Sequence, residues 1–130
     1  MTTFDLSSVG MGTYLGQPDD KDDYDTYVAL TYLIKTGSLN VIDTAINYRC
    51  QKSERIVGAA LRSLLASDEH LGATSDVKLT RDMVFVATKT GYVPDDADAG
   101  IPGSTLIETL ISENVITKED VAGGIHCMHP

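Results

Sequence analysis

The run MVFVATK, Met83 to Lys89, constrains this chain more than any other segment. Consecutive β-branched and aromatic residues lead there to a cation. An unbroken apolar run, in place of strict alternation, predicts a strand buried on both faces, the habit of parallel sheets. Parallel strands need long crossovers, usually helices, and the flanking sequence supplies them. Val9 to Leu15 (VGMGTYL) reads as a short strand broken by Gly10 and Gly12, which mark a bulge or a close backbone approach. QPDDKDD then ends in the N-cap candidates Asp22 and Asp23. Tyr24 to Thr36 follows as a helix with Tyr24, Tyr27, Val28, Thr31 and Ile34 on one face, closed by Lys35 and Gly37. Asn40 to Thr44 is a second short strand. Ser53 is expected to cap an amphipathic helix with Ile56, Val57, Ala60, Leu61, Leu64 and Leu65 on its apolar side.

Beyond these elements the pattern weakens. Residues 67–82 read as a polar connection and 91–103 as a Pro/Gly/Asp loop. Ser104 opens a third helix carrying Leu106, Ile107, Leu110 and Ile111, which Asn114 ends. Thr117 to Asp120 has the spacing of a capping box. The tail VAGGIHCMHP shows no recognisable closing element. Strand and helix alternate, so the fold class is α/β with parallel strands.

The chain's 130 residues amount to one domain at most. Nineteen acidic against ten basic residues leave a net charge of −9, which repels phosphate backbones and argues against nucleic acid as a partner. Cys50 and Cys127 form no CxxC, which suits neither a disulfide scaffold nor a thiolate zinc site and fits a reducing, cytoplasmic compartment. No apolar run approaches the ~18 residues of a membrane span. The first ten residues have neither the basic nor the apolar region of a secretory signal.

In parallel α/β sheets chemistry sits at the carboxyl ends of the strands. Two predicted strands end in charge, at Asp43 and Lys89, and Tyr48 lies on the loop just after Asp43. If the strands are neighbours, these groups share one rim. An ammonium beside a phenol favours the phenolate, and a carboxylate fixes the ammonium. Such a tyrosine can hand a proton to an oxygen gaining negative charge. The other reading of the same residues is an ordinary rim ion pair next to a surface tyrosine. His126, Cys127, Met128 and His129 are soft ligands, but a four-residue run rarely offers four ligands to one ion, so no metal site is expected. Asp95, Asp96 and Asp98 lack the order of a calcium loop and read as a solvated loop. Asp19 to Asp25 reads as a turn and helix N-terminus. Cys50 reads as a passive thiol, and His70 carries no signal.

Four ordered blocks carry a resemblance. They are GMGTYLG (Gly10 to Gly16), GSLNVIDTAINY (Gly37 to Tyr48), SERIVGAAL (Ser53 to Leu61) and VFVATK (Val84 to Lys89). Together they resemble the aldo-keto reductase family, most strongly over residues 9–92 and weakly over 93–130, so 1–130 reads as a partial domain of that kind. The resemblance implies a (β/α)8 TIM barrel, of which this chain is the N-terminal part, about half. It also implies NADPH-dependent reduction of an aldehyde or ketone. By the same resemblance Tyr48 is the proton donor, Lys89 its polarising partner and Asp43 the group that fixes Lys89. Gly12, Thr13 and Tyr14, with Asp43, fall near the nicotinamide. The family's fourth catalytic group is a histidine. His126 and His129 follow glycines rather than a β-branched run, so that histidine is expected beyond Pro130, with the elements for the cofactor's phosphate and adenine. Two further readings stand beside the enzyme. One is an inactive half barrel that self-associates or docks a partner through exposed strand edges. The other is a complete small α/β domain of unrelated function.

Overall fold

A computed structural model describes residues 5–66 and 77–128. Most of the expected connection at 67–82 lies outside them, as do His70, His129 and Pro130. Three short parallel strands form one sheet in chain order: β1 Gly10–Gly12, β2 Val41–Asp43 and β3 Phe85–Ala87. Their register aligns Gly10 with Val41 and Phe85, Met11 with Ile42 and Val86, and Gly12 with Asp43 and Ala87. Helix α1 (Asp20–Lys35) connects β1 to β2. Helix α2 (Lys52–Ala66) follows β2 and packs against α1. The fold is therefore α/β with parallel strands in an open sheet, consistent with part of a (β/α) barrel.

Strand alternation divides the sheet into two unlike faces. Met11, Ile42 and Val86 meet the helices, where Leu30, Ile34, Leu39, Val57, Ala60, Leu64, Leu79 and Val84 complete the core. The other face carries Gly10, Gly12, Val41, Asp43, Phe85 and Ala87, none of them buried. The expectation that β3 is buried on both faces is thus corrected. Phe85 is 42 % exposed, because helices cover only one side of the sheet among the described residues. Gly10 is needed for close approach, since a Cβ there would stand 3.0 Å from the Val41 carbonyl oxygen.

Local boundaries differ from the sequence reading for identifiable reasons. The N-cap of α1 is Asp19, whose carboxylate accepts from the Asp22 N–H at 2.9 Å, one turn before the expected caps. The buried face of α1 is Leu30 and Ile34 with Tyr27 and Leu33 packed alongside, while Tyr24 and Val28 are exposed. The predicted face thus holds at Tyr27 and Ile34, and contact with α2 and the sheet rotates the rest of it toward Leu30 and Leu33. Ser53 lies inside α2 rather than capping it. Its buried hydroxyl donates to the Thr13 carbonyl at 2.8 Å and ties α2 to the end of β1.

Helix α3 runs Gly103–Ser112, with Asn114 left-handed beyond its end at φ 58°. It starts one residue early because the Asp95 carboxylate accepts from the Gly103 N–H at 2.8 Å. The Thr117 capping box forms as read, with Asp120 as its partner. The tail, in contrast, is a hairpin of β4 (Val121–Ala122) and β5 (His126–Cys127), turned by Gly123 and Gly124 at φ 60° and 77°. Paired glycines between short β-prone segments were the available signal. No helix among the described residues is long and apolar enough to cross a membrane.

Candidate active site

The rim at the carboxyl ends of the strands is built by hydrogen bonds that extend the ladder past the strands themselves. Thr13 N–H donates to the Asp43 carbonyl at 3.0 Å, Thr44 N–H to the Ala87 carbonyl at 2.8 Å, and Ile46 N–H to the Lys89 carbonyl at 3.2 Å. These bonds bring the segments after β1, β2 and β3 to one height. Below them Thr13 Oγ1 donates to Thr44 Oγ1 at 2.9 Å, both side chains buried.

Asp43 and Lys89 therefore emerge side by side. Lys89 Nζ lies 2.6 Å from Asp43 Oδ1, 3.0 Å from the Thr44 carbonyl and 3.2 Å from the Tyr48 hydroxyl. An ammonium has three hydrogens and no lone pair, so this geometry uses all three and makes the phenol oxygen an acceptor. Lys89 also stands 4.9 Å from the centre of the Tyr48 ring, within cation–π range. The hydrogen bond to Asp43, and then that to Tyr48, holds the Lys89 ammonium above the usual lysine range. Asp43 and Lys89 side chains are each half exposed, so the cluster opens to solvent rather than serving the core. The three head groups that the sequence reading singled out share one rim.

The other predicted residues border this cluster. Gly12 ends β1 in register with Asp43, and a Cβ built on it would meet nothing within 4 Å, so the space above it is open. Tyr14 is exposed, and its ring meets Tyr48 edge-on at 5.1 Å and 72°. Thr13 differs in character: its hydroxyl, N–H and carbonyl are all spent on Thr44, Asp43 and Ser53. It shapes the floor of the rim from within. His126 stands elsewhere, stacked on Tyr92 at 4.7 Å and 5° in the bridge between the tail hairpin and the segment after Lys89. Among the described residues no three His, Cys, Asp or Glu side chains gather to hold a metal ion.

A charge network joining the N-terminal turns of α1 and α2 to the loop after β3 was missed. Arg49 and Lys52 are both buried. Arg49 pairs with Asp23, and Lys52 pairs with Asp23 at 2.8 Å and Asp98 at 2.9 Å. Arg55 continues the chain to Asp96 and Asp98. Lys52 is held well above the usual lysine range by Asp23 first and Asp98 next. Asp98 is held low by Lys52 and then Arg55, and Asp96 by Arg55. The loop read as solvated is thus anchored, and Asp23 belongs to an ion pair as well as a helix start. Two cations within four residues of Tyr48 were the only sequence signal, and they name no partner.

Comparison with known proteins places the chain in a family. Residues 8–114 match the family described as the Aldo/keto reductase family. The chain belongs to that family. This aldo/keto reductase chain is 33 % identical over 96 residues to the "NADH-specific methylglyoxal reductase" of Escherichia coli (strain K12), a match that covers 71 % of the chain. The chain spans about a quarter of that relative's length, since the match covers 25 % of it. No solved structure gives a significant match.

Proposed function

We propose that this aldo/keto reductase chain carries the proton-transfer half of a nicotinamide-dependent carbonyl reductase, with Tyr48 as acid. The observation that carries the proposal is Lys89 Nζ lying 2.6 Å from Asp43 and 3.2 Å from the Tyr48 oxygen. Because Lys89 donates to the phenol oxygen, the phenol's own hydrogen is left for a substrate oxygen. As a carbonyl oxygen gains negative charge it accepts that hydrogen, and the phenolate left behind is stabilised by the adjacent ammonium. Asp43 holds the ammonium in place, and solvent at the open rim reprotonates Tyr48. The chemistry drawn from a bound nicotinamide is hydride supply to the carbonyl carbon. The open space over Gly12, the exposed Tyr14 ring and the half-exposed Asp43 carboxylate leave room for a flat polar ring beside the phenol. Gly12, Tyr14 and Asp43 would border that ring, with Thr13 fixing the backbone beneath.

The family resemblance implies NADPH, whereas the relative from Escherichia coli is named for NADH. Fluorescence titration of the chain with each coenzyme decides between them. Methylglyoxal, the substrate in that relative's name, is the first carbonyl to assay, followed by a simple aldehyde and a simple ketone. The expected result is coenzyme-dependent reduction that Tyr48→Phe lowers by ~10²–10⁴-fold without loss of coenzyme binding. Turnover unchanged in Tyr48→Phe would remove Tyr48 from the chemistry.

A second reading rests on the sheet. Among the described residues β1 and β3 each have one strand neighbour, and Val9 and Phe85 beside these edges are exposed. Such edges template pairing with another copy. If the chain binds neither coenzyme and elutes as a multimer, self-association is its better description.

A further inference from the structure

Tyr48 is followed by three consecutive residues in the left-handed region: Arg49 at φ 50°, Cys50 at φ 53° and Gln51 at φ 74°. None is glycine, so each resists this conformation, and the turn persists only if its surroundings hold it. The Arg49 side chain, 0 % exposed, is the natural anchor. Nε donates to the Gln17 carbonyl at 3.0 Å, Nη1 donates to Thr26 Oγ1 at 3.2 Å, and Nη2 meets the Asp23 carboxylate. Asp23 is shared with Lys52, so the buried guanidinium is charge-compensated and fixed in orientation.

The bond to Gln17 joins two loops, and those to Thr26 and Asp23 fix Arg49 to α1. Gln17 lies on the β1–α1 loop that carries Tyr14, and Arg49 on the β2–α2 loop that carries Tyr48. The rings at the loop tips meet edge-on at 5.1 Å. We propose that Arg49 is a positioning residue: it clamps the two loops together and so sets the placement of the Tyr48 phenol against Tyr14. As a statement about catalysis this rests on Tyr48 being the acid. As a statement about geometry it does not. A planar fork with fixed donors suits the role, and lysine, a single point charge, cannot span the same three partners.

The experiment uses the full chain with ring-labelled tyrosine, the signals assigned through Tyr14→Phe and Tyr48→Phe. Wild type is expected to show cross-relaxation between the two rings. Arg49→Gly relieves the backbone and deletes the clamp, and Arg49→Lys keeps the charge and loses the fork. Both are expected to melt cooperatively yet lose the ring contact, with kcat for carbonyl reduction lower by ~10–100-fold and KM little changed. A ring contact of wild-type strength in folded Arg49→Gly overturns the proposal, because backbone relief alone then preserves the site. Should both Arg49 variants fail to fold, Thr26→Val, which removes one tie, decides: a weakened contact supports the clamp and an unchanged one overturns it. If wild type reduces no carbonyl, the reductase reading fails while the ring contact still decides the role of Arg49.

Discussion

Replacing Lys89 by methionine keeps an unbranched side chain of nearly the same length and removes the ammonium that joins Asp43, the Thr44 carbonyl and Tyr48. Lys89→Met is expected to leave the core intact, since half of this side chain faces solvent, and to lower carbonyl reduction by ~10²-fold or more. Steady-state kinetics beside a thermal melt checks both halves. The same residue yields a pH prediction. Its pKa in the fold is raised above the ordinary 10.5, by Asp43 first and Tyr48 second. Stability from this ammonium is therefore complete below the unfolded value and lost as pH rises through the higher folded value. Melting temperature followed into alkali is expected to fall more for wild type than for Lys89→Met, and parallel curves would contradict the linkage. At this scale the sequence was most legible. Charge at a strand end and a phenol on the next loop are chemistry carried by residue type, and the register delivers both to one rim.

At the scale of elements, α2 is the cleanest case. Of the six residues its apolar period predicted, Val57, Ala60 and Leu64 are buried, Leu61 and Leu65 pack partly buried against them, and Ile56 is half-buried. Leu64→Ala is expected to cost ~2–5 kcal/mol, and Leu61→Ala less because Leu61 is only partly buried. Denaturant unfolding of the two variants measures the difference. Ser53→Ala is expected to cost ~1–3 kcal/mol, because the Thr13 carbonyl loses its buried hydroxyl partner. An N-cap role, the sequence reading, predicts a loss of helicity instead, so far-ultraviolet circular dichroism alongside the melt separates the two. Helix α1 was read less well. Of its predicted face, Ile34 is buried and Tyr27 packs on the core, whereas Tyr24 and Val28 are exposed and the missed Leu30 is buried, and nothing local fixes that rotation. The tail hairpin was overlooked because β4 and β5 are two residues each, too short for any period to register.

At the scale of the whole molecule, ion pairs join segments far apart in the chain. Arg55 and Lys52 on α2 hold the Asp96–Asp98 loop, and Arg49 and Lys52 hold Asp23 on α1. Asp96 and Asp98 both lie below the ordinary carboxylate value of 3.8, Asp96 through Arg55 and Asp98 through Lys52 then Arg55. A depressed folded pKa means that the contribution is present above the unfolded value and lost as pH falls through the folded one. Wild type is therefore expected to lose stability on acidification below about pH 4, and Asp98→Asn to lose less over the same range, as thermal melts across an acid series will read. The order of elements from β1 to α3, the α/β class and the residue types at the rim were determined by the sequence alone, because period and side-chain chemistry are local properties. Which stripe of α1 is buried, which face of the sheet is covered and which aspartates meet Arg49, Lys52 and Arg55 were decided only in the tertiary structure. Those outcomes depend on loops closing over twenty or more residues, and no window of sequence contains both partners.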